Sequence, residues 1–87
     1  MQADKVFKAL GDPTRRKLLD LLCEENGQTL GELCEGVEMT RQAVSQHLAV
    51  LRSAGLVTTR RDGSTVYYRL ADPRVLEAYR LIQDIAR

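Results

Sequence analysis

The amino-acid sequence predicts a mostly α-helical fold carrying one small β-hairpin. Three observations predict it. Apolar residues recur at three- and four-residue spacing from residue 3 to about 53, and again from 73 onward. Between these stretches, residues 57–70 alternate apolar and polar around the turn dipeptide Asp62-Gly63. Residues with helix-capping side chains, Asp12, Thr29, Thr40 and Asp72, stand where each later helical run begins.

In the first helix Ala3, Val6, Phe7 and Leu10 share one face. Gly11-Asp12-Pro13 breaks the chain, with Asp12 as N-cap and Pro13 at the first helical position, where a missing N–H costs nothing. The second helix carries Leu18, Leu19, Leu21 and Leu22 and stops at Asn26-Gly27. Thr29-Leu30-Gly31-Glu32 is a capping box that opens a short third helix, with Leu30, Leu33, Cys34 and Val37 on one face. Thr40 caps a fourth helix running to about Ser53, with Ala43, Val44, His47, Leu48 and Leu51 inward and Gly55 beyond its end. A type I′ turn at Asp62-Gly63 pairs Arg61 with Ser64, Thr59 with Val66 and Val57 with Tyr68. That register puts Val57, Thr59, Val66, Tyr68 and Leu70 on one face. Asp72-Pro73 repeats the cap-plus-proline start and opens a last helix.

Two helices at this spacing followed by a hairpin make a winged helix-turn-helix. The expected organisation is a single domain, 1–87: helix-turn-helix over 29–54, wing over 56–71, and dimerisation helices over 1–11 and 72–87. A chain of 87 residues hides only about 60–65% of its unfolded surface, so its core is thin. A hydrophobic content of 44% excludes a disordered chain. No apolar run approaches the roughly 20 residues needed to cross a bilayer, and no apolar leader follows Met1, so a cytoplasmic location is expected. Two cysteines, Cys23 and Cys34, are too few for a disulfide framework and fit a reducing compartment.

The net charge of +1 conceals an asymmetry. Residues 40–71 hold five Arg against one Asp, and no acidic residue lies between Thr40 and Arg61. A local basic face in a near-neutral chain suits an anionic partner. On the fourth helix the stripe opposite the apolar one reads Gln42, Ser45, Gln46 and Ala49, with Arg41 in the first turn and Arg52 in the last. Gln pairs bidentately with adenine, Arg with guanine, and Ser with either, while small Ala49 permits close approach to a groove wall. The expected DNA-binding residues are Gln42, Ser45 and Gln46 at base edges and Arg41 on guanine or phosphate. Thr29 and Thr40 are expected at the backbone, and Arg60 and Arg61 in the flanking minor groove or on its phosphates. Charges beside a hairpin tip also serve to block sheet extension.

His47 falls on the inward side, where a packed, hydrogen-bonded histidine is the ordinary outcome. One histidine, no glycine-rich phosphate loop and no nucleophile–base pair leave no catalytic site. Without a Cys-x-x-Cys pair or Cys/His cluster, no metal or other cofactor is expected. The first and last helices carry more apolar surface than one thin core needs. A symmetric homodimer through Val6, Phe7, Leu10, Val75, Leu76, Tyr79, Ile82 and Ile85 would cover it.

The stretches Ala9-Leu10-Gly11-Asp12-Pro13-Thr14-Arg15-Arg16, Met39-Thr40-Arg41-Gln42-Ala43-Val44-Ser45-Gln46-His47-Leu48, Leu51-Arg52-Ser53-Ala54-Gly55-Leu56-Val57, and Arg61-Asp62-Gly63-Ser64 through Val66-Tyr67-Tyr68-Arg69-Leu70 resemble the ArsR/SmtB-type winged-helix repressors. The resemblance covers nearly the whole chain. It implies a small homodimeric transcriptional regulator on a near-palindromic operator in double-stranded DNA. Two departures stand out. The turn position that is often Gly in the family is Glu38. The third helix has Leu33-Cys34-Glu35-Gly36 where metal-sensing relatives carry Cys-x-Cys, and the last helix has Asp72, Glu77 and Asp84 but no His. Neither metal pattern transfers, and no inducer is implied. A metal- or thiol-responsive sensor, and a winged helix that binds protein rather than DNA, are the alternatives.

Overall fold

The computed structural model describes residues 3–85; side chains at positions 3, 73, 75, 76, 78, 82 and 83 lie outside that description. The elements run α1 (Ala3–Leu10), α2 (Pro13–Glu24), α3 (Leu30–Val37), α4 (Arg41–Ser53), β1 (Val57–Asp62), β2 (Thr65–Leu70) and α5 (Pro73–Ile85). This is the winged helix-turn-helix order expected from the sequence.

The helix ends are set by local chemistry. Asp12 caps α2 by accepting from the Thr14 and Arg15 amides at 2.8 and 3.1 Å, with Pro13 at the start of the helix. The same first turn serves α1. Arg15 donates to the carbonyls of Ala9 (2.7 Å) and Lys8 (2.9 Å), and Arg16 donates to that of Leu10 (2.7 Å). Two cations therefore satisfy the orphan carbonyls at the C-terminus of α1, where the helix dipole favours positive charge. Thr29 and Glu32 complete the capping box of α3. Glu38 ends α3 in the left-handed conformation, φ 53°. Thr40 Oγ1 accepts from the Ala43 amide to cap α4. Gly55, φ 78°, closes α4: its amide reaches Arg52 O and the Leu56 amide reaches Leu51 O, each at 3.0 Å. That pair of bonds is a Schellman motif, and the left-handed position it requires is why Gly stands there.

Leu18, Leu19, Leu22, Leu33, Val44, Leu48 and Leu51 are fully buried, so the core lies where α2, α3 and α4 meet. Ala9, Leu56, Val57, Leu70 and Tyr79 extend it to α1, the wing root and α5.

The hairpin differs from expectation. Its partners are Val57 with Leu70, Thr59 with Tyr68, Arg61 with Val66 and Asp62 with Thr65, so the loop is Gly63-Ser64 rather than Asp62-Gly63. Gly63 has φ 63°, and Glu38 is the only non-glycine described with positive φ, so Ser64 is not left-handed. A type II′ turn needs Gly first and tolerates Ser second, whereas type I′ needs two left-handed residues. The shift leaves every side chain on its expected face. The wing root is bound to the α2–α3 loop. Gln28 exchanges backbone bonds with Tyr68 (3.0 and 2.7 Å), and Asn26 Oδ1 accepts from the Leu70 amide at 2.8 Å. The Gln28 side chain, itself buried, donates to Leu21 O and Glu25 O at the end of α2.

Candidate nucleic-acid interface

One side of α4 is fixed and the other is bare. Val44, Leu48 and Leu51 are fully buried, so the helix cannot rotate without emptying the core. His47 is half-buried. Its Nδ1 lies 3.4 Å from an Arg15 guanidinium nitrogen and 3.9 Å from Asp12 Oδ1, joining α4 to the α1–α2 corner. Burial acts to raise the Asp12 carboxyl. The Arg15 and Thr14 amides outweigh it, aided by the charges of His47 and Arg15, and hold the carboxyl below its ordinary value. Gln42, Ser45, Gln46 and Ala49 are exposed on the opposite stripe. Among the described residues, the Gln42, Ser45 and Gln46 side chains make no hydrogen bond within the protein. Their donors and acceptors remain available to a partner in the pattern that base edges match.

The other expected contacts separate into distinct roles. Thr40 Oγ1 accepts from Ala43 N, which leaves its hydroxyl hydrogen free to donate. Thr29 is spent: its amide and its hydroxyl both end on Glu32 Oε1 at 3.0 Å. Those bonds hold the Glu32 carboxyl below its usual range, and a carboxylate beside Thr29 repels phosphate. Thr29 thus caps α3, with its amide and hydroxyl hydrogens both engaged by Glu32. Arg41 is exposed, with one terminal nitrogen 3.2 Å from where a Cβ on Gly31 would sit. Its side chain therefore folds back over the first turn of α3, which suits a phosphate grip better than a base pair. Arg60 and Arg61 are both exposed but point to opposite faces of the wing. Arg61 shares the face of Thr59 and Val66; Arg60 shares that of Tyr67 and Arg69. On that face Tyr67 stands directly opposite Arg60 and Arg69 opposite Thr58, cross-strand pairs that differ from those of the expected register.

The proposed dimer surface divides as well. Phe7 and Ile85 are 68% and 84% exposed, and Leu81, beside the Ile85 stripe, is 63% exposed. Val6 and Leu10 are half-buried. Tyr79 is only 3% exposed in the lone chain, its hydroxyl donating to Arg16 O at 3.1 Å. Its aromatic ring completes the protomer's own core. Val75, Leu76 and Ile82 lie outside the described side chains. Cys23 and Cys34 are free and half-buried; burial, with Asp20 nearby, pushes the Cys23 thiol up, away from reactive thiolate. Among the described residues no three His, Cys, Asp or Glu side chains could hold a metal, and no helix is long and apolar enough to cross a membrane.

A fixed recognition helix presented after a short turn, with a braced hairpin beside it, defines a winged helix-turn-helix DNA-binding protein. Residues 12–59 match the bacterial regulatory protein, arsR family. An HTH-type transcriptional regulator of Methanocaldococcus jannaschii, MJ1325, is 33% identical over 84 residues, 97% of this chain and 94% of that one. The transcriptional repressor SdpR of Bacillus subtilis is 40% identical over 67 residues, 77% of this chain and 73% of its own. The homodimeric winged helix-turn-helix DNA-binding domain Mb0332 of Mycobacterium bovis superposes with a TM-score of 0.88 at 34% identity, over 95% of this chain and 76% of that one. The chain belongs to the ArsR family of transcriptional regulators.

Proposed function

We propose that the protein is a homodimeric repressor that binds a near-palindromic operator and blocks access of polymerase to it. The observation that carries this reading is the unpartnered Gln42, Ser45 and Gln46 face of a helix whose other face is locked in the core. In the complex α4 lies in the major groove, with those three side chains at base edges. Arg41 and Thr40 hold the phosphate backbone, and the wing arginines reach the flanking minor groove or its phosphates. The exposed Phe7, Leu81 and Ile85 support pairing through α1 and α5, since apolar area of this kind is commonly covered in a dimer. The homodimeric state of the Mycobacterium bovis domain supports the same assembly. The protein acts where the chromosome is, in the cytoplasm, as a binding protein without catalytic activity.

The α4 face is neither acidic nor apolar, which weighs against a winged helix used for protein contacts. Hydroxyl-radical footprinting of a duplex selected by the protein tests the reading. Two protected half-sites about 34–36 Å apart, related by a two-fold axis, are expected. A single unpaired footprint, or none, contradicts it.

A further inference from the structure

Between them α1 and α4 form an open cleft of about 320 Å³, with Lys5 and Lys8 on one wall and Ala49, Val50, Ser53 and Ala54 on the other. Both walls are fixed. Arg15 holds the end of α1 through Lys8 O and Ala9 O, and the same guanidinium reaches His47 on α4. Buried Val44, Leu48 and Leu51 keep α4 in place. At about 100° per residue Phe7 projects from a different flank of α1 than Lys5 and Lys8, so the cleft is set apart from the exposed apolar side of that helix.

The lining has two chemical parts. The α4 wall is mostly apolar: Ala49, Ala54 and Val50, a valine left 39% exposed. The α1 wall is cationic. Among the described residues the Lys5 and Lys8 ammoniums make no ion pair or hydrogen bond, and no carboxylate lines the cleft. The Ser53 hydroxyl, also without a partner there, adds a neutral donor. An inorganic anion would leave the apolar wall wet, and an uncharged apolar molecule would leave two cations unanswered. A molecule with an apolar body and one carboxylate satisfies both parts. Small-molecule clefts have this make-up, mostly apolar with a few placed polar groups, and occupy about 300–1,000 Å³. Ala49 also belongs to the reading stripe of α4, so an occupant reaches the edge of the surface offered to DNA.

We propose that the α1–α4 cleft binds a small free carboxylate with an apolar body, and that the bound molecule opposes DNA binding. Its carboxylate lies on Lys5, Lys8 and Ser53, and its body on Val50 and Ala54. Its charge offsets two lysines beside the reading face, and its body fills the space that Ala49 leaves for a groove wall. The effect on DNA rests on the operator reading above; the binding does not.

The probes are butanoate, hexanoate and octanoate, titrated into the full chain without DNA at constant ionic strength and followed by the Ala49 and Val50 methyl NMR signals. Octanoate should saturate these signals, and each added methylene should tighten binding by up to about fourfold. Octylammonium, with the same tail and the opposite charge, should leave them unmoved. Lys5→Gln and Lys8→Gln, both at exposed positions, should each weaken octanoate by about two- to fivefold. Val50→Thr, which puts a hydroxyl in place of one exposed methyl, should weaken it as well. Saturating octanoate should lower the affinity for an operator selected by the wild type roughly tenfold, and the operator should lower the affinity for octanoate by the same factor. Butanoate binding as tightly as octanoate, or octylammonium binding at all, overturns the proposal. So do methyl signals that octanoate leaves unmoved, the result expected if a second protomer covers the cleft. Octanoate that binds without changing operator affinity also overturns it. Failure to select any operator overturns the operator reading alone, because the titration without DNA still decides the site.

Discussion

The Tyr79 hydroxyl donates a 3.1 Å hydrogen bond to the Arg16 carbonyl, latching α5 to the first turn of α2 from inside one protomer. Arg16 in turn caps the end of α1 through Leu10 O. The helix expected to pair two protomers is thereby anchored in its own. Tyr79→Phe should lower unfolding free energy by about 1 kcal/mol, the usual cost of one such bond. Tyr79→Ala, which also empties a core site, should cost about 3–5 kcal/mol. Denaturant unfolding checks both, and an unchanged midpoint for Tyr79→Ala would remove the ring from the core.

The same residue sets an alkaline limit. Burial, together with Asp20, pushes the Tyr79 phenol up to about 12. In the unfolded chain it ionises near about 10. The neutral form is favoured by folding, so its contribution is complete below about pH 10 and is lost as pH rises through about 12. The difference in phenolate absorbance between the wild type and Tyr79→Phe should titrate near the upper value. A difference curve centred near the lower one would show the hydroxyl to be solvated.

Glu38 occupies a left-handed conformation, φ 53°, between α3 and α4. For a residue with a Cβ that conformation costs roughly 1–2 kcal/mol, partly offset because Gly loses more backbone entropy on folding. Glu38→Gly should therefore stabilise the protein by up to about 1 kcal/mol, raising the melting temperature by about 4 °C. Glu38→Val should lower it. A Gly variant that melts earlier would mean that this turn is unstrained.

Arg60 and Arg61 should act independently despite being neighbours, since the pleat sends them to opposite faces. Arg60→Ala and Arg61→Ala should each weaken binding across sequences and lower the salt slope by about one, and the double variant should lose the sum of the two. Salt-titrated competition assays on one selected operator check this, and a double variant no weaker than either single one would show that the two share a contact.

The helices were legible because their ends depend on residues close in sequence. Asp12, Thr29, Thr40 and Gly55 do in the structure what their neighbours implied. The wing was legible in its faces but not in its turn. Gly63 can be second in a type I′ loop or first in type II′, and moving between them slips the register by two, which preserves every face. Gln28 gave no signal, because a one-residue strand has no period. The burial of Tyr79 within one protomer gave no signal for another reason: composition does not tell an apolar stripe bound for the core from one bound for a partner. Nor did it separate Arg15 and Arg16, which hold α1, from the free arginines of the wing.

Operator selection from random duplexes with the wild type, Gln42→Ala and Gln46→Ala tests the reading face of α4 most directly. Each substitution should relax preference at one symmetric pair of positions, by about 1–3 kcal/mol per half-site, and leave the others intact. Selected sequences identical for all three proteins would show that this face does not read DNA.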